Sequence, residues 1–242
     1  MEEITTVPQV QEKSLNLFSR MLGTFFEPRK VFTSLDKKPV WLDVLVVLLI
    51  LLVITLYFFQ PLILETQKEK ILKNEKLSEE AKSMAVESFN QPFTKIMIWV
   101  GGILGFVIVF FVVALVFFFI ANFILGGEGR FNRMLSIYAH ASLVMLPASI
   151  VKIPLAIAKK SMSVQTSPAV FLSPEAEGTA LFSFLSSFDI FTIWTIILIS
   201  LGISVLYKFS LKKASIMVVI PWFIYIIIKV VMASMFKGQV MF

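Results

Sequence analysis

The stretch FILGGEGRFNRML, at positions 123–135, is the first candidate for chemistry because it combines three glycines with two arginines. Glycines beside basic residues are typical of phosphate-binding loops, but a nucleotide-binding loop carries Lys followed by Ser or Thr and follows a strand. This stretch lacks that pair and follows an apolar run that predicts a helix. We therefore predict that Gly126, Gly127 and Gly129 end one helix and turn the chain, with Asn132 capping the next.

The two arginines of this turn, Arg130 and Arg133, are candidates for binding anions. A guanidinium group donates paired hydrogen bonds to phosphate or carboxylate oxygens. At the depth of lipid headgroups, the two side chains would hold lipid phosphates or the acidic surface of a cytosolic protein partner. The alternative is that they only follow the excess of basic residues that is typical of cytoplasmic connections.

Three further ionisable residues, Lys152, Asp189 and Lys229, lie within or beside apolar runs. Charges in such places are costly and often mark functional sites. All three are predicted near the outer surface of the membrane, where Asp189 can pair with either lysine, and we expect them to line a polar vestibule that binds an anionic group or a lipid headgroup. The alternative is structural, with lysines extending to the interface and an aspartate stabilising a helix start.

Helix contacts are predicted from the remaining polar and small residues of the apolar runs. A hydrogen bond between Asn122 and His140 would join adjacent helices near their inner ends, with Asp43 close to the same layer. The glycines within positions 101–105 favour a close contact of the second run with a neighbouring helix.

Neither catalysis nor a bound metal is predicted. The chain has one histidine and no cysteine, and a single histidine among scattered carboxylates does not have the spacing of a metal site. No set of serine, histidine and acid suggests hydrolysis. We therefore predict a protein without catalytic residues, metal or cofactor.

The elements that position these residues are predicted to be membrane helices. Hydrophobic residues make up 57% of the chain and charged residues 16%, with 25 phenylalanines, which lies outside the balance of a soluble domain. A bilayer core about 30 Å thick needs roughly twenty apolar residues. The sequence offers five such runs, at 41–59, 96–125, 134–158, 188–207 and 214–236. Prolines interrupt the third and the fifth. The predicted fold class is an all-α polytopic integral membrane protein with five transmembrane helices.

Two further helical features are predicted outside the runs. Residues 1–40 are predicted to form a cytoplasmic segment. Apolar residues recur in it at helical spacing, which predicts an amphipathic helix that lies in the membrane interface or packs on the bundle. These apolar residues are Leu15, Phe18, Leu22, Phe25 and Phe26. Within the membrane domain 41–242, residues 60–95 are predicted to form an external helical hairpin, with Ser78 as a helix cap. The connection 159–187 is predicted to be an irregular loop.

The orientation follows from the basic residues. They precede the first run and fill the second and fourth connections, which predicts that these segments share the cytoplasmic side; they are Arg29, Lys30, Lys37, Lys38, Arg130, Arg133, Lys208, Lys212 and Lys213. The lysines of the hairpin 60–95 count against this assignment. The net charge of +6 favours contact with anionic lipids and not with nucleic acid, because the basic residues flank apolar runs and form no contiguous patch.

Three stretches together resemble one family. They are EPRKVFTSLDKKPVWLDVL at 27–45, LGGEGRFNRMLSIYAHASLVMLPASIV at 125–151 and FDIFTIWTIILISLGISVLYKFSLKKA at 188–214. They resemble the Yip family of Ypt/Rab-interacting membrane proteins, in its bacterial form. The resemblance implies five membrane helices and a cytosolic N-terminal segment. Its eukaryotic members are associated with vesicle traffic and small GTPases, whereas the bacterial ones have no settled biochemical role.

These observations predict a non-enzymatic multi-pass protein of the bacterial cytoplasmic membrane, with its N-terminus in the cytoplasm. It would organise the membrane, or recruit lipids or a cytosolic partner, through a basic cytoplasmic face. The alternative is a carrier of small solutes or lipids that uses a vestibule between the third, fourth and fifth helices. Five helices argue against two equal inverted repeats, although a homo-oligomer could supply more helices.

Overall fold

The computed structural model describes residues 15–236, in which helices are the only regular secondary structure and no strand occurs. Helices are expected of apolar spans because in lipid every backbone N–H and C=O must be bonded within the segment. Ten α-helices follow one another in the described chain: α1 Leu17–Phe26, α2 Pro28–Lys37, α3 Leu42–Leu72, α4 Glu79–Ser88, α5 Pro92–Phe119, α6 Phe131–Ala141, α7 Met145–Lys159, α8 Ala180–Ser186, α9 Ile190–Tyr207 and α10 Leu211–Phe236.

Five segments are long and apolar enough to cross a membrane, which confirms the predicted number. They are α3, α5 with the π-helical turn Ile120–Ile124, the α6–α7 segment, α9 and α10. The first two extend beyond their predicted limits. The 31 residues of α3 measure about 46 Å at 1.5 Å per residue, against a hydrocarbon core of about 30 Å. Helix α3 must therefore tilt or project beyond the hydrocarbon.

The third span, which is predicted to be interrupted at its prolines, is divided into two helices. Helix α6 ends at Ala141, and the 3₁₀ turn Ser142–Val144 separates it from α7. Pro147 has no N–H for the carbonyl of Leu143, so the hydrogen-bond ladder is interrupted one turn before the proline. Pro154 lies inside α7 without ending it.

The predicted cap of the third span is wrong. Helix α6 begins at Phe131, and the capping position is held by Arg130. Asn132 lies within the first turn, where its backbone carbonyl accepts a hydrogen bond from Ser136 Oγ at 2.9 Å. The start of α6 is therefore fixed without a side-chain cap from Asn132.

The segment before the first span forms two helices where one was predicted. Glu27 ends α1, and Pro28 is the first residue of α2, a position that proline favours because the N–H it lacks would have no partner there. The two helices pack closely at Gly23, where an added Cβ would lie 2.7 Å from Val31 Cγ2. Residues 1–14 of the predicted cytoplasmic segment lie outside the described residues.

The α1–α2 pair lies along the side of the bundle. The rings of Phe25 and Trp194, near the start of α9, have centroids 5.5 Å apart in an edge-on contact. At the other end of the pair, Asp36 accepts a hydrogen bond from Arg133 in the first turn of α6. The turn between α1 and α2 therefore lies about 15 Å from the end of α2, given ten residues at 1.5 Å each. Arg29 and Lys30, which follow this turn, therefore lie apart from the other basic residues that the sequence places on the cytoplasmic side.

Helix α1 packs by its polar face and exposes its apolar one. Arg20 and Thr24 are buried against the bundle, whereas Phe18, Leu22 and Phe26 are 69%, 44% and 81% exposed. The other two members of the predicted stripe are partly buried. The helix thus both contacts the bundle and presents an apolar surface outward. Its placement in the membrane interface stays a prediction.

The buried core occupies one half of the bundle. One cluster joins α2 to α5, α6, α9 and α10, and the other joins α3 to α5 and α6. The largest fully buried side chains include Phe32, Leu35, Leu48, Met134, Leu143 and Ile203. By contrast, no residue between Leu49 and Val109 is buried. We call residues 49–109 the outer arm.

The outer arm contains the helices predicted for residues 60–95. Helix α3 continues to Leu72, and the Ser78 Oγ caps α4 by accepting a hydrogen bond from the Ala81 N–H at 3.2 Å. The predicted close contact of the second span holds at Gly102, where an added Cβ would lie 3.0 Å from Leu56 Cδ1. The neighbouring Gly101 and Gly105 face open space.

The connection between the third and fourth spans is more ordered than predicted. It contains the 3₁₀ turns Pro168–Phe171 and Pro174–Ala176, followed by α8. Helix α8 is capped by Thr179 Oγ1, which accepts a hydrogen bond from the Phe182 N–H at 3.2 Å. It packs against α10. The prediction of an irregular loop is therefore wrong for this part of the connection.

Candidate functional site

The glycine turn is built for a close approach as well as for a change of direction. Gly126 has a φ of +68°, the left-handed conformation predicted for the end of the second span, and the Gly127 N–H donates to the Ala121 carbonyl at 2.8 Å. A Cβ added at Gly127 or Gly129 would lie 2.4 Å from atoms of the Tyr207 ring. These two glycines therefore leave space for an aromatic ring against the backbone.

Asn122 holds that ring in place. Its side-chain amide donates to Tyr207 Oη at 2.7 Å and to the Phe118 carbonyl at 2.9 Å. Its side-chain oxygen accepts a hydrogen bond from the Gly129 N–H at 2.8 Å. The amide thus ties the end of the second span both to its own turn and to the end of α9.

The predicted hydrogen bond between Asn122 and His140 is not formed in the described structure. His140 is fully buried and its Nδ1 lies 2.7 Å from the Ser136 carbonyl within its own helix. Sequence reasoning missed Tyr207 as the partner of Asn122. The available signal was a tyrosine at the end of the fourth span, predicted on the same side of the membrane as the glycine turn.

Hydrogen bonds gather three connections at one end of the bundle. Arg133 Nη1 donates to Asp36 at 2.9 Å, and Lys213 Nζ donates to the Leu125 carbonyl at 3.3 Å. The Asn122–Tyr207 bond joins the same connections. We call this surface the basic end, after its residues Lys37, Lys38, Arg130, Arg133, Lys208, Lys212 and Lys213.

The two arginines of the glycine turn have different environments. Arg133 is half-buried and paired with Asp36, so its guanidinium already has an acidic partner. Arg130 is exposed, and its side chain has no ion pair or hydrogen bond within the described part of the chain. Of the two, Arg130 is the residue available to an external anion.

A partly buried charged pair joins α1 to the start of α3. Arg20 donates to the carboxylate of Asp43, at the start of α3, and to the Leu15 carbonyl at 2.7 Å. Both residues lie near His140. Arg20 Nε and His140 Nε2 have no hydrogen-bond partner in the described structure. The expectation that Asp43 reaches the histidine layer is thus met, with Arg20 as the residue that sequence reasoning missed.

Lys152 and Asp189 form the second charged centre, at the opposite end of the bundle. Lys152 Nζ donates to Asp189 Oδ2 at 2.9 Å, and Thr166 Oγ1 donates to the same oxygen. The other carboxylate oxygen caps α9 by accepting from the Phe191 N–H at 3.0 Å. Burial raises the pKa of Asp189, which precedes the span, but the bonds from Thr166 and Lys152 outweigh it and hold this pKa below its ordinary value.

The predicted vestibule is only partly assembled. Lys152 and Asp189 line a cavity of about 310 Å³ between the first, third and fourth spans, together with Thr55, Phe59, Val144, Met145, Ala148, Ser149, Ile153, Phe191, Thr192 and Thr195. Lys229 does not line it and instead donates to Ser186 Oγ at 2.9 Å, on α8. The expected position between the third, fourth and fifth helices is therefore wrong, because Lys229 is bonded to α8 and the first span, not the fifth, lines the cavity.

Over residues 15–236, no group of three or more histidine, cysteine or acidic side chains is placed to hold a metal ion. A family model described as the Yip1 domain matches residues 22–232. The chain belongs to the Yip1 domain family. This confirms the family resemblance, whereas the bacterial form stays a prediction. The Yip1 family consists of membrane proteins that can interact with lipids and proteins, and it is not known as enzymatic. No curated protein and no solved structure matches the chain.

Proposed function

We propose that this Yip1-family protein organises its membrane without catalysing a reaction, by holding anionic lipid headgroups at its basic end. The observation that carries the proposal is the hydrogen-bonded junction of three basic connections. Each connection alone carries only a few charges, but together they form one surface at the end of the bundle. A basic surface at headgroup depth attracts anionic lipids with about 1 kcal/mol per Lys or Arg.

The charge balance at the basic end supports an external anionic ligand. Arg133 already pairs with Asp36 at 2.9 Å, and the glycine turn carries a further acidic residue, Glu128. Arg130, Lys208 and Lys212 are exposed and have no acidic partner within the described chain. An excess of positive charge therefore remains for lipid phosphates.

The apolar stripe of α1 gives the same molecule a second membrane contact. Phe18, Leu22 and Phe26 point away from the bundle, and a soluble environment would leave them in water. Apolar side chains on one helix face, combined with basic residues nearby, are typical of segments that enter the boundary between headgroups and acyl chains. The two features together favour lipid organisation over a purely structural role.

The orientation belongs to the same proposal. We place the basic end and the N-terminus in the cytoplasm, and the membrane is the bacterial cytoplasmic membrane that the family resemblance predicts. Because the chain has no cysteine, single cysteines can be introduced at Lys38, Arg130 and Lys212 for labelling in intact cells. The proposal expects protection of all three from an impermeant reagent and labelling at Glu75 in the outer arm.

Lipid selectivity tests the proposal directly. The protein is reconstituted in nanodiscs of phosphatidylcholine mixed with phosphatidylglycerol, and the lipids around it are compared with the bulk mixture. The double variant K38Q/R130Q removes two exposed charges from the basic end. We expect its enrichment of phosphatidylglycerol to fall severalfold, because each charge contributes about 1 kcal/mol at the membrane surface.

The matched control is K70Q/K76Q, which removes two exposed lysines from the outer arm. It should leave the enrichment unchanged. Equal losses in both variants would mean that net charge alone attracts the lipids, and no loss in either would remove the proposal. Recovery of a specific cytosolic protein on the basic end, with unchanged lipid enrichment, would replace it by partner recruitment.

A carrier is the second candidate, favoured by the cavity at Lys152 and Asp189. The cavity places an ion pair among hydroxyl side chains near the end of the bundle, as a site for a small polar solute requires. Proteoliposomes would be loaded with a panel of small anions and cations, and their flux compared between the wild type and D189N. Equal flux in the two proteins would exclude a role of this pair in transport.

A further inference from the structure

A second cavity, of about 490 Å³, lies between the end of the second span and α10. Its lining is apolar along most of its length and polar at the basic end; the residues are Ile120, Ile124, Leu125, Ser210, Lys212, Lys213, Ile216, Met217, Ile220, Pro221 and Ile224. The volume falls within the range of roughly 300–1,000 Å³ that is typical of ligand sites. We call this cavity the α10 groove.

The groove follows from the way in which the second span ends. Residues Ile120–Ile124 form a π-helical turn, in which the Leu125 N–H donates to the Ile120 carbonyl at 3.0 Å. A π turn inserts one additional residue into the helix, and such turns occur frequently at functional sites. The inserted residue changes the face that this end of the helix turns toward α10. Isoleucine side chains then line the space from both helices.

Two lysines stand at the mouth of the groove. Lys212 is exposed. Lys213 Nζ donates to the Leu125 carbonyl at 3.3 Å and lies 3.8 Å from the centre of the Phe209 ring. An ammonium group has three donors, so Lys213 can bind a further acceptor. None of the lining residues is acidic, and neither lysine has an ion pair in the described part of the chain.

The dimensions of the groove match one leaflet of a bilayer. From Leu211 to Ile224 helix α10 rises about 20 Å at 1.5 Å per residue. Half of a hydrocarbon core of about 30 Å is roughly 15 Å, which leaves the remaining length for a headgroup at the basic end. With the basic end at headgroup depth, as proposed above, the apolar part of the groove would lie beside the acyl chains and the lysines beside the lipid phosphates.

We infer that the α10 groove binds one anionic phospholipid, with an acyl chain along Ile216, Ile220 and Ile224 and its phosphate between Lys212 and Lys213. The inference rests on the proposed function, to which it adds a defined site. A free phosphate would leave the apolar part of the groove empty. An apolar helix of a second copy would fill the groove but would leave the two lysines without a negative partner. The charge and the length together select a lipid.

The experiment uses the full chain, delipidated in a neutral detergent and then given phosphatidylglycerol or phosphatidylcholine with identical acyl chains. Native mass spectrometry counts the lipids that remain bound after dilution. The phosphatidylglycerol carries a photoreactive group in one acyl chain, so that the labelled peptide reports its position. We expect one retained phosphatidylglycerol per protein, crosslinked within 120–124 or 216–224, and at least tenfold weaker retention of phosphatidylcholine.

Two variants separate the headgroup from the chain. K212Q/K213Q should lower the retention of phosphatidylglycerol to that of phosphatidylcholine, because it removes both positive charges at the mouth of the groove, and K212Q alone, which leaves the contacts of Lys213 with Leu125 and Phe209 in place, should lower it part of the way. I220W should fill the groove and lower the retention of both lipids; Ile220 is 53% exposed, so the larger ring does not enter the core. The matched control is I227W, at a position on the same helix that is 60% exposed and outside the groove.

Each outcome decides for or against the site. Equal retention in I220W and I227W, or crosslinks elsewhere, would overturn the groove, and competition by glycerol phosphate would show that the acyl chain does not contribute. If K38Q/R130Q lowers lipid enrichment while K212Q/K213Q and I220W do not lower retention, the basic end functions without this site. If none of the charge variants has an effect, the proposed function fails as well.

Discussion

The half of the bundle at the basic end and the outer arm both contain long apolar helices, but they are packed very differently. Phe32, Leu48 and Met134 in the first half are fully buried, whereas no residue of the outer arm is. Since lipid chains are as apolar as leucine, burial in a membrane is not driven by hydrophobicity. The difference in burial therefore reflects small residues that allow helices to approach closely and polar residues that form hydrogen bonds between them.

Those residues are concentrated in the packed half. Gly202 brings α9 against α6, where an added Cβ would lie 2.4 Å from Ile137 Cγ2. The Asn122–Tyr207 bond and the Arg20–Asp43 pair lie in the same half. In the outer arm, Gly101 and Gly105 face open space. Close contacts and hydrogen bonds thus hold the three basic connections together in the packed half, whereas the outer arm contacts mainly its own helices.

The largest expected contrast concerns a buried and an exposed phenylalanine. Phe32→Ala empties a site that is 0% exposed and should lower the free energy of unfolding by about 3–5 kcal/mol. Phe93→Ala in the outer arm removes a ring that is 71% exposed, and the expected change is within about 0.5 kcal/mol. Unfolding by a denaturing detergent in mixed micelles measures both. Similar losses would mean that the outer arm is packed as firmly as the core.

Two ion pairs give the next contrast. Arg20→Ala leaves Asp43 without its partner beside the buried His140, and we expect a loss of about 3 kcal/mol, at the low end for buried pairs because Asp43 is partly exposed. Lys73→Ala breaks the exposed pair with Glu69 in the outer arm and should cost less than about 0.5 kcal/mol. The same unfolding assay applies. Replacing both Arg20 and Asp43 by apolar residues should restore part of the loss, whereas no recovery would contradict the role of the unpaired charge.

The smallest contrast compares two glycines. Gly129→Ala places a methyl group 2.4 Å from the Tyr207 ring, and displacing the ring should cost about 1–3 kcal/mol. Gly105→Ala meets nothing within 4 Å and should be neutral or slightly stabilising, because alanine favours a helix more than glycine does. Thermal melting of the purified variants distinguishes them. In a protein that already carries Tyr207→Ala, Gly129→Ala should lower the melting temperature much less, because the ring is gone. An equal loss in that background would mean that Gly129 is required for its backbone conformation.

The number of spans followed from length and composition, because a helix that crosses lipid needs a long uninterrupted apolar run. The break before Pro147 and the cap at Ser78 followed from backbone chemistry that depends only on neighbouring residues. The break at Pro28 had the same kind of signal, since proline favours the first position of a helix. Local rules therefore predicted most of the helices.

The contacts between helices could not be predicted in the same way. A span that is apolar on every face has no preferred side, so the sequence did not show that Asn122 faces Tyr207 and not His140. For the same reason the vestibule was predicted beside the fifth span, whereas the cavity at Asp189 and Lys152 lies beside α3. The glycines at 127 and 129 could be recognised as a turn, but the ring that requires them lies far along the chain.

The α1–α2 pair runs only about 15 Å along the bundle, given ten residues per helix. If it enters the bilayer from the basic end, it occupies area in one leaflet and adds nothing to the other. Each copy would then act as a wedge, and neighbouring copies would favour a membrane that is curved, with its convex side at the basic end. A protein that partitions equally between small and large vesicles would have no such shape.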